Sequence, residues 1–235
     1  MAVEPNNAQR AARLTWIGLA LVLATQLFAW WISPPDSGMG HLQKIMYVHV
    51  PAAWVAFLAF TTVFVASIVY LVRKSEKWDL LAAAAAEVGV VLTALTLALG
   101  SIWAKPTWGV WWTWDPRLTT TAILLLIYVG YLALRSFTED EGKRARWSAA
   151  VGILGFLNVP IVYMSVIWWR TINQVQSTPS TVSPAYAWGL RLNAIAFLVV
   201  MILFVRARYR AALLERAAEA RVEEATLGPG GRIHV

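Results

Sequence analysis

The sequence contains no cysteine and few charged residues. Without thiols, disulfides, thiolate metal sites and iron–sulfur clusters are excluded. Charged residues make up 14% of the 235 residues and hydrophobic residues 59%, whereas a soluble domain carries about 25% charged residues. A chain of this length cannot bury so much apolar surface in its own core. The composition therefore predicts an integral membrane protein.

Motifs for the common catalytic chemistries are also missing. The sequence has no paired catalytic carboxylates, no serine–histidine arrangement and no phosphate-binding loop of the Gly-x-x-x-x-Gly-Lys-Ser/Thr type. Binding and transfer are therefore expected rather than enzymatic activity, and any ATPase must be a partner subunit. The net charge of +7 indicates topology rather than a nucleic-acid partner, because basic residues mark the cytoplasmic loops of membrane proteins.

Six apolar stretches are long enough to cross a bilayer, which takes about 20 residues each. The stretches lie near Leu14–Ile32, Tyr47–Val72, Leu80–Ile102, Thr119–Leu134, Ala149–Trp168 and Ala185–Val205. We therefore expect an all-α integral membrane protein, a bundle of six transmembrane helices over residues 1–205 with a charged tail at 206–235. Asn158 and Pro160 predict a kink in the fifth span, with Asn158 bonding to another helix.

The distribution of basic residues predicts the orientation of the bundle. Fifteen Lys and Arg residues lie on the side of the two termini, whereas the opposite loops hold four. By the positive-inside rule, both termini are cytoplasmic. The loops near residues 33–46, 103–118 and 169–184 then face outward.

Tryptophan is unusually frequent and unevenly placed. Of fourteen tryptophans, eleven lie at or beyond the outer ends of the predicted spans and three lie toward the cytoplasm. An aromatic belt would populate both interfaces. The excess on one side indicates a flat apolar surface that meets something outside, although a belt remains the alternative reading.

The densest tryptophan cluster occupies the second outer loop. Pro106 and Pro116 bound a segment with room for about two helical turns. If this segment is helical, Trp108 and Trp112 share one face. Arg117 follows as a fixed cation at the entrance to the fourth span. Aromatic planes beside a guanidinium suit a flat apolar ligand with carboxylates.

One of the three histidines is a candidate ligand. His49 opens the second span among apolar neighbours, where an imidazole must be wet, hydrogen-bonded or ligating. His41 is expected to be solvated, and His234 lies in the tail. Together, an outer imidazole, a tryptophan platform and Arg117 describe a haem site in which His49 binds iron and Arg117 holds a propionate. No Cys-x-x-Cys-His motif is present, so haem is not covalently attached.

Two motifs resemble those of a known family. The outer-loop string resembles the WWD signature of the haem-handling proteins of cytochrome c maturation: Trp108-Gly109-x-x-Trp112-x-Trp114-Asp115-x-Arg117-Leu118-Thr119. The start of the second span resembles the first-loop histidine motif of the haem exporter protein C family, CcmC: His49-Val50-Pro51-Ala52-Ala53. Six spans and this length also resemble CcmC more than its larger relatives, CcmF and CcsA. The resemblance runs from about residue 14 to residue 205.

The resemblance implies a multi-pass protein that holds haem b transiently at the outer face of the bacterial inner membrane. With CcmA, CcmB and CcmD it would load haem onto the periplasmic chaperone CcmE for cytochrome c maturation. The implied haem-binding residues are His49, Trp108, Trp112, Trp114, Asp115 and Arg117. Asp115 is expected to act in support, by pairing with Arg117 or by bonding the turn at Pro116.

One departure from the family pattern concerns the second axial ligand. The family usually has a histidine in the third outer loop, where this chain has Asn173, and an amide is a poor iron ligand. Three accounts stay open: His41 substitutes, water or CcmE fills the position, or haem binds weakly. An open or partner-filled position is favoured, because a carrier that releases haem gains from a weaker sixth bond.

Two other functions remain as alternatives. A haem-bearing membrane redox protein would need histidine pairs on facing spans, and a small-solute transporter would need broken helices near the midplane. Glu87 and Arg191 are ionisable residues within the predicted spans, and both are left outside the predicted site.

Overall fold

A computed structural model of the chain describes residues 5–175, 177 and 181–227. Within them the chain is helical, and an isolated bridge between Asp36 and Gly40 is the one β-type pairing. The helices are α1 (Pro5–Ile32), α2 (Met46–Arg73), α3 (Glu76–Trp108), α4 (Pro116–Phe137), α5 (Glu141–Phe156), α6 (Asn158–Trp168) and α7 (Pro184–Leu227), with a short 3-10 helix at His41–Ile45.

Six helical stretches in the described part of the chain are long and apolar enough to span a membrane, with α5 and α6 forming one of them. The predicted all-α bundle of six transmembrane helices is therefore confirmed. The fourth helix is longer than predicted: α4 runs over Pro116–Phe137. The cytoplasmic position of the termini stays a prediction.

The fifth span is broken between α5 and α6, as predicted. Pro160 lacks a backbone N–H and cannot continue the helical hydrogen bonding of the preceding turn. The break falls at Leu157, next to Asn158. The Asn158 side chain donates a hydrogen bond to the Thr120 carbonyl on α4, at 2.8 Å. This hydrogen bond at the break therefore links the fifth span to α4, the helix that begins beside the tryptophan-rich loop.

The last span and the charged tail form one continuous helix. α7 has 44 residues, about 66 Å at 1.5 Å per residue, whereas the bilayer core is about 30 Å thick. No helix end therefore marks the boundary expected at residue 205. Arg208 pairs with Glu87 of α3, and Arg216 pairs with Glu141 of α5. Residues 228–235, including His234, lie outside the described residues.

Helices α2 and α3 pack closely because a glycine lies at their contact. A Cβ at Gly89 would stand 2.6 Å from Cε1 of Phe60. The Phe60 ring is fully buried and stacks on Tyr128 of α4, with 3.8 Å between the ring centroids. The ring has no free space to move into, so Gly89 sets the distance between the two helices.

We predict that Gly89→Ala destabilises the protein by about 1–3 kcal/mol, the range for overpacking a close-packed core. Thermal unfolding of the purified protein in detergent measures the effect. Gly130→Ala is the matched control, because no atom lies within 4 Å of a Cβ built there. That change is expected to be neutral or slightly stabilising. An equal loss in both variants would contradict the packing argument.

Candidate functional site

A cavity of about 590 Å³ opens at one end of the bundle. This end, called the site end here, carries the connections at residues 33–40, 109–115 and 169–175. The volume falls within the range of about 300–1,000 Å³ that is usual for small-molecule sites. Side chains with aromatic, cationic or metal-binding chemistry in its wall include His49, Trp54, Trp103, Trp108, Arg117 and Asn173.

One face of α2 forms one side of the cavity. Met46, His49, Val50, Ala53 and Phe57 all line it. Their spacing of three and four residues places them on the same helical face. A face of the neighbouring helix α3 also lines the cavity, with Thr93, Thr96, Leu97 and Gly100.

The His49 imidazole is held against α3 with an unused nitrogen. Its Nδ1 atom is buried and has no hydrogen-bond partner among the described residues. A Cβ at Gly100 would stand 3.2 Å from His49 Cε1 and 3.8 Å from Nδ1, so the absence of a side chain there leaves room for the ring. Buried polar atoms are normally satisfied, and an exception calls for a ligand, ion or water. The unpartnered nitrogen makes His49 a candidate ligand-binding residue.

Three indoles contribute to the cavity wall. Trp103 and Trp108, near the end of α3, meet edge to face with 5.0 Å between their centroids. Trp54 approaches from α2. Aromatic rings supply large, flat apolar surfaces. The cavity can therefore bury a planar apolar ligand.

Trp112 and Trp114 lie outside the cavity wall. Their rings meet edge to face at 5.8 Å, and Trp114 is 82% exposed. The segment between Trp108 and Pro116 does not form the helix on which a shared face of Trp108 and Trp112 depended. Gly109 takes a left-handed conformation, φ 78°, that ends α3 at Trp108, and residues 110–115 are not helical. Trp108 and Trp112 therefore do not share a helical face.

The Asp115 carboxylate joins the second and third connections at the site end. As the N-cap of α4, it accepts a hydrogen bond from the Arg117 backbone N–H at 2.9 Å. It also accepts bonds from the Thr171 hydroxyl (2.6 Å), the Ile172 N–H (3.0 Å) and the Asn173 side-chain amide (2.6 Å). Asp115 does not line the cavity, but it fixes two segments that do.

The ionised form of Asp115 is favoured by these bonds. Burial opposes ionisation, but the hydrogen bonds from Thr171, Ile172, Arg117 and Asn173 outweigh it and hold the pKa of Asp115 below its ordinary value. The carboxylate accepts all four bonds as an anion and stays charged at neutral pH. The structure thus gives Asp115 the supporting role of bonding the turn at Pro116.

Arg117 lines the cavity and also bonds to the third connection. Its Nη1 donates to the Gln174 carbonyl at 2.9 Å. A guanidinium has five N–H donors, so further donors remain for a ligand carboxylate. Of the six predicted site residues, His49, Trp108 and Arg117 line one cavity, whereas Trp112, Trp114 and Asp115 do not.

The remaining polar candidates lie elsewhere. His41 stacks on Trp30, with 5.6 Å between ring centroids, and does not line the cavity. The Arg191 guanidinium lies 5.4 Å from the Trp188 ring centroid and is likewise outside the wall. Glu87 pairs with Arg208 near the opposite end of the bundle.

Comparison with known proteins shows what the chain is related to. The sequence profile of the CcmC family, described as heme exporter protein C, matches residues 5–224. The chain belongs to this family. It is similar to heme exporter protein C of Bradyrhizobium diazoefficiens, 36% identical over 215 residues that cover 89% of this chain and 82% of the relative. It is also similar to heme exporter protein C of Escherichia coli K12, 33% identical over 205 residues that cover 86% and 84% of the two chains.

Several cavity residues of this CcmC-family protein were not singled out from the sequence. Trp54 and Trp103 are two of the eleven outer tryptophans, and Met39 belongs to no motif in the sequence. The sequence does contain a signal for Trp54. Steps of four residues from His49 lead to Ala53 and Phe57, so these three residues share one helical face. Trp54 follows Ala53 directly and lies at the edge of that face. No comparable signal points to Met39, which lies in an irregular loop.

We predict that Asp115→Asn detaches the third connection but preserves the start of α4. The new amide keeps an oxygen for the Arg117 N–H and is a good N-cap, but its NH2 group cannot accept from Thr171 or Ile172. Hydrogen exchange at the Ile172 amide should accelerate by roughly tenfold or more, a change of about 1.4 kcal/mol.

Asp140→Asn is the matched control for this prediction. Asp140 is the N-cap of α5 and accepts a bond from the Lys143 N–H. The Asp140→Asn variant should leave hydrogen exchange at the Ile172 amide unchanged. Slow exchange at Ile172 in the Asp115 variant would show that the third connection is held by other contacts.

Proposed function

We propose that this protein binds haem non-covalently in the site-end cavity and delivers it to CcmE for cytochrome c maturation. One observation carries the proposal: the side chains of His49, Arg117 and three tryptophans line one cavity of about 590 Å³. Within this group, His49 Nδ1 is buried and has no hydrogen-bond partner among the described residues. Membership of the heme exporter protein C family supports it. Haem is the cargo in this proposal rather than a resident cofactor.

Each part of haem has a matching group in the wall. His49 offers an imidazole to the iron. Arg117 offers a guanidinium to a propionate, with donors beyond the one used on Gln174. Trp54, Trp103 and Trp108 offer apolar surface to the porphyrin. The chain has no cysteine and so no thiol for thioether attachment, and the proposed cargo is haem b held non-covalently.

Trp112, Trp114 and Asp115 complete the site in different ways. Asp115 positions the segments that carry Arg117 and Asn173. Trp112 and Trp114 stand outside the wall, so they would meet haem at its exposed edge. An exposed pair of indoles there suits the surface from which CcmE collects its cargo.

The placement in the cell follows from charge and hydropathy. The chain is a multi-pass membrane protein by its six apolar helices. The basic residues concentrate at the end opposite the cavity, so we place the termini and the 206–235 tail in the cytoplasm and the cavity at the periplasmic face of the inner membrane. The chain acts there as a binding and transfer subunit with CcmA, CcmB and CcmD, and a partner supplies any ATPase.

We expect His49→Ala to weaken haem binding by more than about tenfold, because the iron loses its protein ligand. The test is a titration of the purified protein with haem, followed by the Soret band. His41→Ala is the matched control and should bind like the parent, since His41 stacks on Trp30 outside the cavity. Equal affinity of the parent and the His49 variant would place haem elsewhere.

Trp114→Ala should separate binding from delivery. The variant is expected to keep its Soret band but to transfer haem to CcmE several-fold more slowly, measured by haem-dependent capture on purified CcmE. Trp147→Ala is the control, because Trp147 is an exposed indole on α5, away from the cavity wall. Transfer at the parental rate would remove Trp114 from the delivery surface. Absence of any haem-dependent capture by CcmE would favour a redox or transport function.

A further inference from the structure

Pro51 removes one hydrogen bond from the turn that carries His49. It is the sixth residue of α2, inside the helix. In a continuous helix the N–H of residue 51 would donate to the carbonyl of Tyr47, four residues earlier. A proline has no N–H, and its ring presses against that carbonyl. The Tyr47 oxygen is therefore without its helical donor, and His49 lies between the two residues.

A glutamine of the first span supplies a replacement donor. The side-chain Nε2 of Gln26 donates to the Tyr47 carbonyl at 2.9 Å. Proline is tolerated in membrane helices where neighbouring helices satisfy the freed backbone groups, and Gln26 of α1 does so for α2. An amide inside an apolar span also needs partners of its own. The bond therefore satisfies both groups and ties the His49 turn to α1.

Asn193 of α7 fixes the orientation of the Gln26 amide. Asn193 is fully buried, and its Nδ2 donates to the Gly189 carbonyl at 2.8 Å and to the Thr25 carbonyl at 3.2 Å. Its Oδ1 atom then faces Gln26 and accepts from the same Nε2 at 2.6 Å. An amide nitrogen has two hydrogens, so Gln26 uses one on Tyr47 and one on Asn193. The nitrogen cannot turn away from α2 without breaking both bonds.

The Tyr47 side chain anchors the same turn in a second way. Its ring is buried where α1, α2 and α7 meet, because a Cβ at Gly189 would stand 2.8 Å from Tyr47 Cε1 and 3.0 Å from Ala29 Cβ. Its hydroxyl shares a hydrogen bond with Ser33, directly after α1. The ring thus fixes where the turn lies, and the Gln26 bond fixes the direction of its first carbonyl.

We propose that Gln26, held by Asn193, is a positioning residue for His49. Its amide gives the Tyr47 carbonyl the hydrogen bond that Pro51 cannot give, and so sets the direction in which α2 presents the imidazole to the cavity. The inference rests on the proposed function, in which His49 binds haem iron. Neither Gln26 nor Asn193 lines the cavity, so their effect reaches a ligand through the backbone of α2.

The first measurement needs no haem. The ring signals of His49 are followed by NMR in the purified full-length protein with isotope-labelled histidine, and they are assigned with His49→Ala. Gln26→Met keeps a long unbranched side chain without a donor, so it should shift the His49 signals. It should also weaken haem binding by several-fold, up to about tenfold, the effect of one hydrogen bond. A Soret titration measures that loss.

Two further variants separate this bond from a general loosening of α1. Thr25→Val removes the hydroxyl that donates to Asn193 Oδ1 at 2.9 Å but keeps the Gln26 bond, so its His49 signals should match the parent. Pro51→Ala restores an N–H for the Tyr47 carbonyl, so Gln26→Met added to it should shift His49 far less. If Gln26→Met alone does not fold, a folded double variant supports the inference and an unfolded one overturns it.

The outcomes distinguish the inference from the proposed function. Unchanged His49 signals in Gln26→Met overturn the inference, whatever haem does. An equal shift in Thr25→Val, or the same shift with and without Pro51, overturns it as well. So does a shift without any loss of affinity, in a protein whose haem binding requires His49. If the shifts appear as expected but the parent binds haem independently of His49, the proposed function falls and the placement of His49 by Gln26 stands.

Discussion

The site end depends on one carboxylate, that of Asp115. In a bilayer the hydrocarbon offers no hydrogen bonds, so irregular segments must satisfy their polar groups within the protein. Asp115 accepts the N–H that starts α4 and three donors from the third connection. The anion therefore positions Arg117 on one segment and Asn173 on another, and both face the cavity. These hydrogen bonds explain why Asp115, which does not line the cavity, belongs to the tryptophan-rich motif.

The tryptophans divide into two groups with different surroundings. Trp54, Trp103 and Trp108 line the cavity, whereas Trp114 is exposed outside it. The division arises at Gly109, whose left-handed conformation ends α3 and turns the chain away from the wall. A single motif thus supplies both an apolar lining and an exposed aromatic surface. Such an arrangement suits a protein that both holds and hands over a flat ligand.

An asparagine at residue 173 fits the hydrogen bonding around Asp115. Asn173 donates to Asp115 and so helps to hold the third connection. The side-chain nitrogen of residue 173 therefore serves the fold of the third connection.

The sequence by itself determined the number of spans, the broken fifth span and the pairing of His49 with Arg117 in one site. Hydropathy and proline placement are local properties, so they can be read directly from the sequence. Because each span crosses the bilayer, alternate connections lie at the same end, which brings His49 and Arg117 together. Only the tertiary structure decided which aromatic side chains line the cavity and that α7 continues through the charged tail. Those features depend on the left-handed turn at Gly109, on ion pairs such as Arg208 with Glu87 and on the bonds to Asp115. The ion pairs and the bonds to Asp115 join residues far apart in the chain, and no local pattern encodes them.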